Sequence, residues 1–148
     1  MGIISEKIKL LDKVELQKSE FFLQEANQRI ETSFSCIKCL KENQFQIIPF
    51  RTGFSFSSLY ENKHLSEYVI TKKEIADRAS KLYDHLGKYL VDSLPTLYYV
   101  HSCTECKEKY LTVFSFGEKG MDKWKCTISG IWRFQNLKND SNQNPRKP

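Results

Sequence analysis

Two stretches decide the fold: Phe34-Ser35-Cys36-Ile37-Lys38-Cys39-Leu40-Lys41-Glu42 and His101-Ser102-Cys103-Thr104-Glu105-Cys106-Lys107-Glu108. Each holds two cysteines separated by two residues, and each stands between runs that read as strands. The two-residue gap lets the chain fold back so that both thiols of a pair face one point. A single pair is also found in redox motifs, but two pairs in matching contexts point to thiolates gathered around one tetrahedral metal ion. Cys36, Cys39, Cys103 and Cys106 are the candidate ligands.

The surroundings repeat as well. Each unit reads strand, turn, strand, the second strand beginning near Phe45 in one copy and near Tyr110 in the other. Backbone N–H groups just past the first cysteine of such a turn donate to its sulfur. The 63 residues between Cys39 and Cys103 form an insertion, expected to carry a helix that packs on one joined sheet.

Three chemistries compete for these thiols. A closed structural Zn²⁺ site is favoured, because four thiolates fill the tetrahedron and leave no position for water. Thiol–disulfide cycling needs a low-pKa cysteine, usually at a helix N-terminus, whereas both pairs lie between predicted strands. Iron on four cysteines is the remaining reading. The four-cysteine layout resembles the zinc-ribbon class, in which two such turns on β-hairpins clamp one metal. That resemblance implies Cys36, Cys39, Cys103 and Cys106 as ligands of a structural zinc, and the insertion departs from a minimal ribbon.

Working outward, residues 5–25 read as an N-terminal helix on the spacing of Ile4, Ile8, Leu11 and Val14. Residues 29–35 alternate as a short strand, 45–50 form another bent near Pro49, and 54–59 a third. Residues 60–69 read as a loop or short helical turn. Thr71-Lys72-Lys73-Glu74 is a capping-box pattern, opening a central helix through Ile75, Ala79, Leu82, Leu86 and Leu90. Strands are expected over 96–102, 109–116 and 124–134, followed by a disordered tail over 136–148. The expected architecture is α+β, one domain over residues 1–135 with a mainly antiparallel sheet.

In the last strand, alternation places Cys126 in the core with Trp124, Ile128, Trp132 and Phe134, a small inert side chain. His101, two residues before Cys103, is a ligand, a donor to sulfur or, the favoured reading, a strand residue facing solvent or partner. Tyr98, Tyr99, Tyr110, Phe114, Phe116, Trp124 and Trp132, interleaved with Lys107, Lys109, Lys123, Lys125 and Arg133, offer a base-stacking face. The competing and preferred account is that they fill the core.

Composition narrows the classes. The chain has 148 residues, 40% apolar and 13% aromatic, enough for a packed core and too apolar for disorder. No run approaches a membrane span, no secretory signal is evident, and five cysteines in an odd count suit a reducing compartment. A cytoplasmic location is expected. The net charge of +5 is modest, since Lys138, Arg146 and Lys147 against Asp140 supply +2 of it. Phosphate-loop, nucleophile-elbow, HExxH and deaminase signatures are missing, so no enzyme is expected.

The expected function is non-enzymatic protein binding on a zinc scaffold. In style the chain resembles small bacterial immunity proteins, which implies a cognate toxin as partner. A zinc-ribbon nucleic-acid-binding or regulatory protein is the alternative, and a redox or metal-handling role the third.

Overall fold

The strands that follow the second cysteine pair carry the architecture. From Tyr110 to Gly117 every residue is buried, so this strand must be covered on both faces. The computed structural model describes residues 2–121 and 123–137. Its elements are β1 (Ile8–Lys13), β2 (Glu20–Leu23), β3 (Ile30–Ser35), β4 (Glu42–Ile47), β5 (Phe54–Ser55), α1 (Ser57–Glu61), α2 (Glu67–Lys72), β6 (Asp77–Arg78), β7 (Tyr89–Leu90), β8 (Thr96–Ser102), β9 (Lys109–Glu118) and β10 (Trp124–Asn136). Residues Asp84–Leu86 add a 3₁₀ turn.

Six strands form one antiparallel sheet in the order β1-β10-β9-β8-β5, with β2 pairing the other end of β10. β1 lies along Trp132 to Asn136 and β2 along Trp124 to Thr127, so both share one edge of the longest strand. β3 and β4 make a separate hairpin, and β6 and β7 a small ribbon. The hairpin therefore stacks on the sheet and does not join it.

The two faces bury different sets. Leu111 and Val113 pack with Tyr98, Trp132, Phe56, Leu59 and Ile70 on the helix side. Tyr110, Phe114 and Phe116 pack with Phe34, Ile47, Cys126 and Ile131 under the β3–β4 hairpin. The alternation in β10 does not run straight through: a bulge between Ile128 and Gly130 shifts the register. Cys126 and Ile128 accordingly face the hairpin, whereas Trp132 and Phe134 turn to the opposite core. A Cβ at Gly130 would meet the Trp132 ring at 2.6 Å, so the bulge needs glycine for close approach.

The mainly antiparallel sheet agrees with expectation, but the helices do not. Residues 5–25 are strands, not a helix: Ile8 and Leu10 are buried on either side of exposed Lys9, a period of two. The central helix is also absent. α2 begins four residues before Thr71, capped by the Ser66 side chain, which accepts from the Val69 N–H at 3.2 Å. It stops where Glu74 turns left-handed, φ 53°. Ile75 N then donates to Ile70 O and Glu74 N to Thr71 O, a Schellman ending built without glycine. α1 ends the same way at Lys63, φ 61°, with His64 N donating to Leu59 O and Lys63 N to Tyr60 O.

Strand β4 stops at Ile47, before Pro49, and only Phe54 and Ser55 of 54–59 are extended. β10 runs on to Asn136, past the expected end of the domain at 135. The tail expected from there onward lies, from residue 138, outside the described residues. Among the described residues, no helix is long and apolar enough to cross a membrane.

Candidate metal centre

The β3–β4 and β8–β9 hairpins are related by a constant offset of 67 residues, which carries Ser35 to Ser102 and Glu42 to Lys109. Each connecting turn has the same backbone bonds. Leu40 N donates to Cys36 O and Cys36 N to Lys41 O; Lys107 N donates to Cys103 O and Cys103 N to Glu108 O, all at 2.8–3.0 Å. Leu40 and Lys107, each just after the second cysteine, take left-handed φ of 67° and 68°. Such turns fold each pair of sulfurs toward one point.

The two points coincide. The sulfurs of Cys36, Cys39, Cys103 and Cys106 all lie within 4.8 Å of one another. Cys36 Sγ stands 3.5 Å from Cys106 Sγ, and Cys39 Sγ 3.6 Å from Cys103 Sγ. A tetrahedral ion with metal–sulfur bonds of about 2.3 Å places its ligands ~3.8 Å apart, so the donor set fits one such ion. Among the described residues no other residue type enters the cluster, and the first cysteine of each pair is buried while Cys106 is exposed.

Second contacts fix the sulfurs. Tyr110 Oη donates to Cys36 Sγ at 3.1 Å and accepts from Ile37 N at 2.9 Å. Asn43 Nδ2 donates to Cys103 Sγ at 3.5 Å, while Asn43 Oδ1 accepts from Thr104 N at 2.9 Å. Glu105 N also donates to Cys103 Sγ. Arg133 ties this turn to the sheet, reaching Glu108 and Asp12 at 3.0 Å each.

These contacts divide the charge. Burial raises Cys103, but the N–H groups of Cys106 and Glu105 and the Asn43 amide outweigh it and bring it down to about 6. Cys36 is likewise lowered against its burial, by the Tyr110 hydroxyl and the N–H groups of Cys39 and Lys38. For Cys106 the Glu108 N–H pulls down, yet burial and the neighbouring sulfurs push it up to about 12. Cys39 moves up too, the Lys41 N–H being outweighed by burial and the Cys103 sulfur. Without an ion, four sulfurs this close cannot all ionise; a divalent cation supplies the missing charge.

His101 is neither a ligand nor a solvent-facing residue. It is 8% exposed, enclosed by Phe34, Phe45 and Tyr99 at ring distances of 4.8–5.2 Å, with Nε2 2.8 Å from Thr112 Oγ1. Burial lowers its pKa to about 4, so the ring is neutral. Cys126 is fully buried away from the cluster. Most of the expected base-stacking aromatics, Tyr98, Tyr110, Phe114, Phe116 and Trp132, are in the core, and Arg133 and Lys125 are paired with carboxylates.

The sequence alone does not mark Asn43 and Tyr110 as partners of the sulfurs. Carrying the offset of 67 seven positions past each first cysteine pairs them, but an amide and a phenol share no sequence identity to flag the match. No protein-family model, curated protein or solved structure matches the chain.

Proposed function

We propose that the protein is a zinc-stabilised, non-enzymatic protein-binding module of the cytoplasm, of the kind that covers a cognate toxin. The observation that carries the zinc scaffold is the convergence of Cys36, Cys39, Cys103 and Cys106 within 4.8 Å. An all-sulfur tetrahedron suits zinc and has no open position for a substrate or an activated water. Its contribution is structural, on the order of 10 kcal/mol at such sites.

The surface around the centre supports a macromolecular role. Leu40 at the tip of the first turn is 77% exposed and held in a left-handed conformation, an apolar side chain presented to solvent beside the sulfurs. Lys38, Lys41, Glu42, Glu105, Lys107 and Glu108 mix both signs around it, which suits protein contact better than nucleic acid. Burial of Tyr98, Tyr110, Phe114, Phe116 and Trp132 takes most of the expected stacking aromatics out of reach, which favours a protein partner over single-stranded nucleic acid.

The test is co-purification of the zinc-loaded protein with a candidate toxin encoded beside it. A 1:1 complex that abolishes the toxin's activity is expected, with no activity from the protein alone. Recovery of nucleic acid only, or catalysis by the isolated protein, contradicts the proposal.

A further inference from the structure

A second site lies on the opposite face from the cysteines. Segment 63–66, between α1 and α2, packs beside β1, where Ile8 N donates to His64 O at 3.1 Å. Between them runs a half-open groove of about 510 Å³, within the size range of ligand-binding clefts. Its floor is aliphatic, with Ile8, Leu10, Leu65 and Val69, and Tyr60 at one side. Ile8, Leu10 and Leu65 are 5%, 6% and 2% exposed, so this floor is recessed.

The rim is of one sign. Lys7, Lys9, Lys63 and Lys73 line the groove, and among the described residues no carboxylate does. None of these lysines has an ion-pair partner among the described residues. The wider groove beside β3 differs, for there Glu15, Glu31 and Glu42 offset Lys13 and Lys18. His64 also lines the lysine-rimmed groove, and its Nδ1 is buried with no hydrogen-bond partner among the described residues.

This combination selects the occupant. A flat bilayer cannot reach a recessed floor behind lysines. Nucleic acid brings the negative charge but stacks on aromatic faces, and here the floor is aliphatic. A polypeptide segment carrying aliphatic side chains between carboxylates satisfies floor and rim together. We infer that the groove between β1 and the α1–α2 connection seats an acidic, aliphatic peptide segment of a protein partner. The inference rests on the protein-binding reading and assigns it a surface remote from the zinc.

The test uses the full-length, zinc-loaded protein and a fluorescein-labelled octapeptide alternating glutamate and leucine. Anisotropy measures affinity at low and high salt, and amide shifts map the site. Binding is expected to weaken with salt, to shift Ile8, Leu65 and Val69, and to vanish when serine replaces the leucines. Lys9→Glu at an exposed position with Lys73→Glu at a half-buried one is expected to lower affinity about tenfold with zinc content unchanged. Should that pair misfold, Lys9→Gln with Lys73→Gln must show the same direction. Absent peptide binding, affinity indifferent to these changes, or tighter binding there of a mixed-sequence oligonucleotide or phosphatidylserine vesicles overturns the inference. A toxin complex whose shifts map elsewhere also overturns it while leaving the protein-binding reading intact.

Discussion

Asn43 and Tyr110 occupy the same position in two hairpins 67 residues apart, and each holds the other hairpin's cysteine turn. From β4, Asn43 binds the Cys103 sulfur and the N–H that follows it; from β9, Tyr110 binds the Cys36 sulfur and the N–H that follows it. The exchange is reciprocal, so neither turn is set without the opposite strand. Tyr110→Phe and Asn43→Ala should each lower metal affinity about 10- to 100-fold, the usual effect of losing such a partner. Each also leaves a backbone N–H unsatisfied, a cost of about 1–3 kcal/mol. Chelator competition and denaturant titration check both, and a variant of either with unchanged metal affinity contradicts the reciprocal clamp.

Proton release follows from how the thiols share charge. Cys39 is raised and Cys106 is pushed up to about 12 in the folded geometry, and ordinary thiols of an unfolded chain are also mostly protonated at neutral pH, so in either state both hold their protons before the ion binds. Zinc requires thiolates, so binding near pH 7 should release at least two protons, and affinity should rise with pH. Calorimetry in buffers of different ionisation enthalpy measures the number. Release of fewer than two excludes the four-thiolate set.

His101 should remain uncharged far into the acid range. Its folded pKa, about 4, lies below the ordinary 6.5, because burial disfavours the imidazolium. The sign follows: its contribution to stability is complete above about 6.5 and is lost as pH falls through about 4. Imidazole ¹⁵N shifts at pH 5.5 should report a neutral ring, and a charged one at that pH contradicts the buried setting.

The two cysteine turns and the strands around them are legible because their signals are local. Thr96–Ser102 matches the strand expected over 96–102, and the cysteine spacing named the cluster. The N-terminal strands were not, since Ile4, Ile8 and Leu11 fit a helix while Ile8 and Leu10 fit a strand. Only pairing with β10, more than a hundred residues away, decides between them. The central helix failed for another local reason. Glu74 and Lys63 end helices where glycine is the usual marker, so nothing in the sequence signalled a stop. In β10 the bulge at Gly130 redirected Trp132 and Phe134 to the other core, a change that alternation alone cannot register.

The fifth cysteine should behave as a small apolar side chain. Cys126 is fully buried, and burial pushes its thiol up to about 12. Cys126→Ser places an unpartnered hydroxyl there and should cost about 1–3 kcal/mol without changing metal content. Loss of metal in this variant would instead make Cys126 part of the centre.

The convergence of the four thiols predicts that one ion unites the two hairpins. The direct measurement is elemental analysis of the purified protein, joined to circular dichroism before and after chelation. One zinc per chain, and loss of the folded signal when it is removed, is the expected result. A chain that is free of metal and fully folded would contradict the claim.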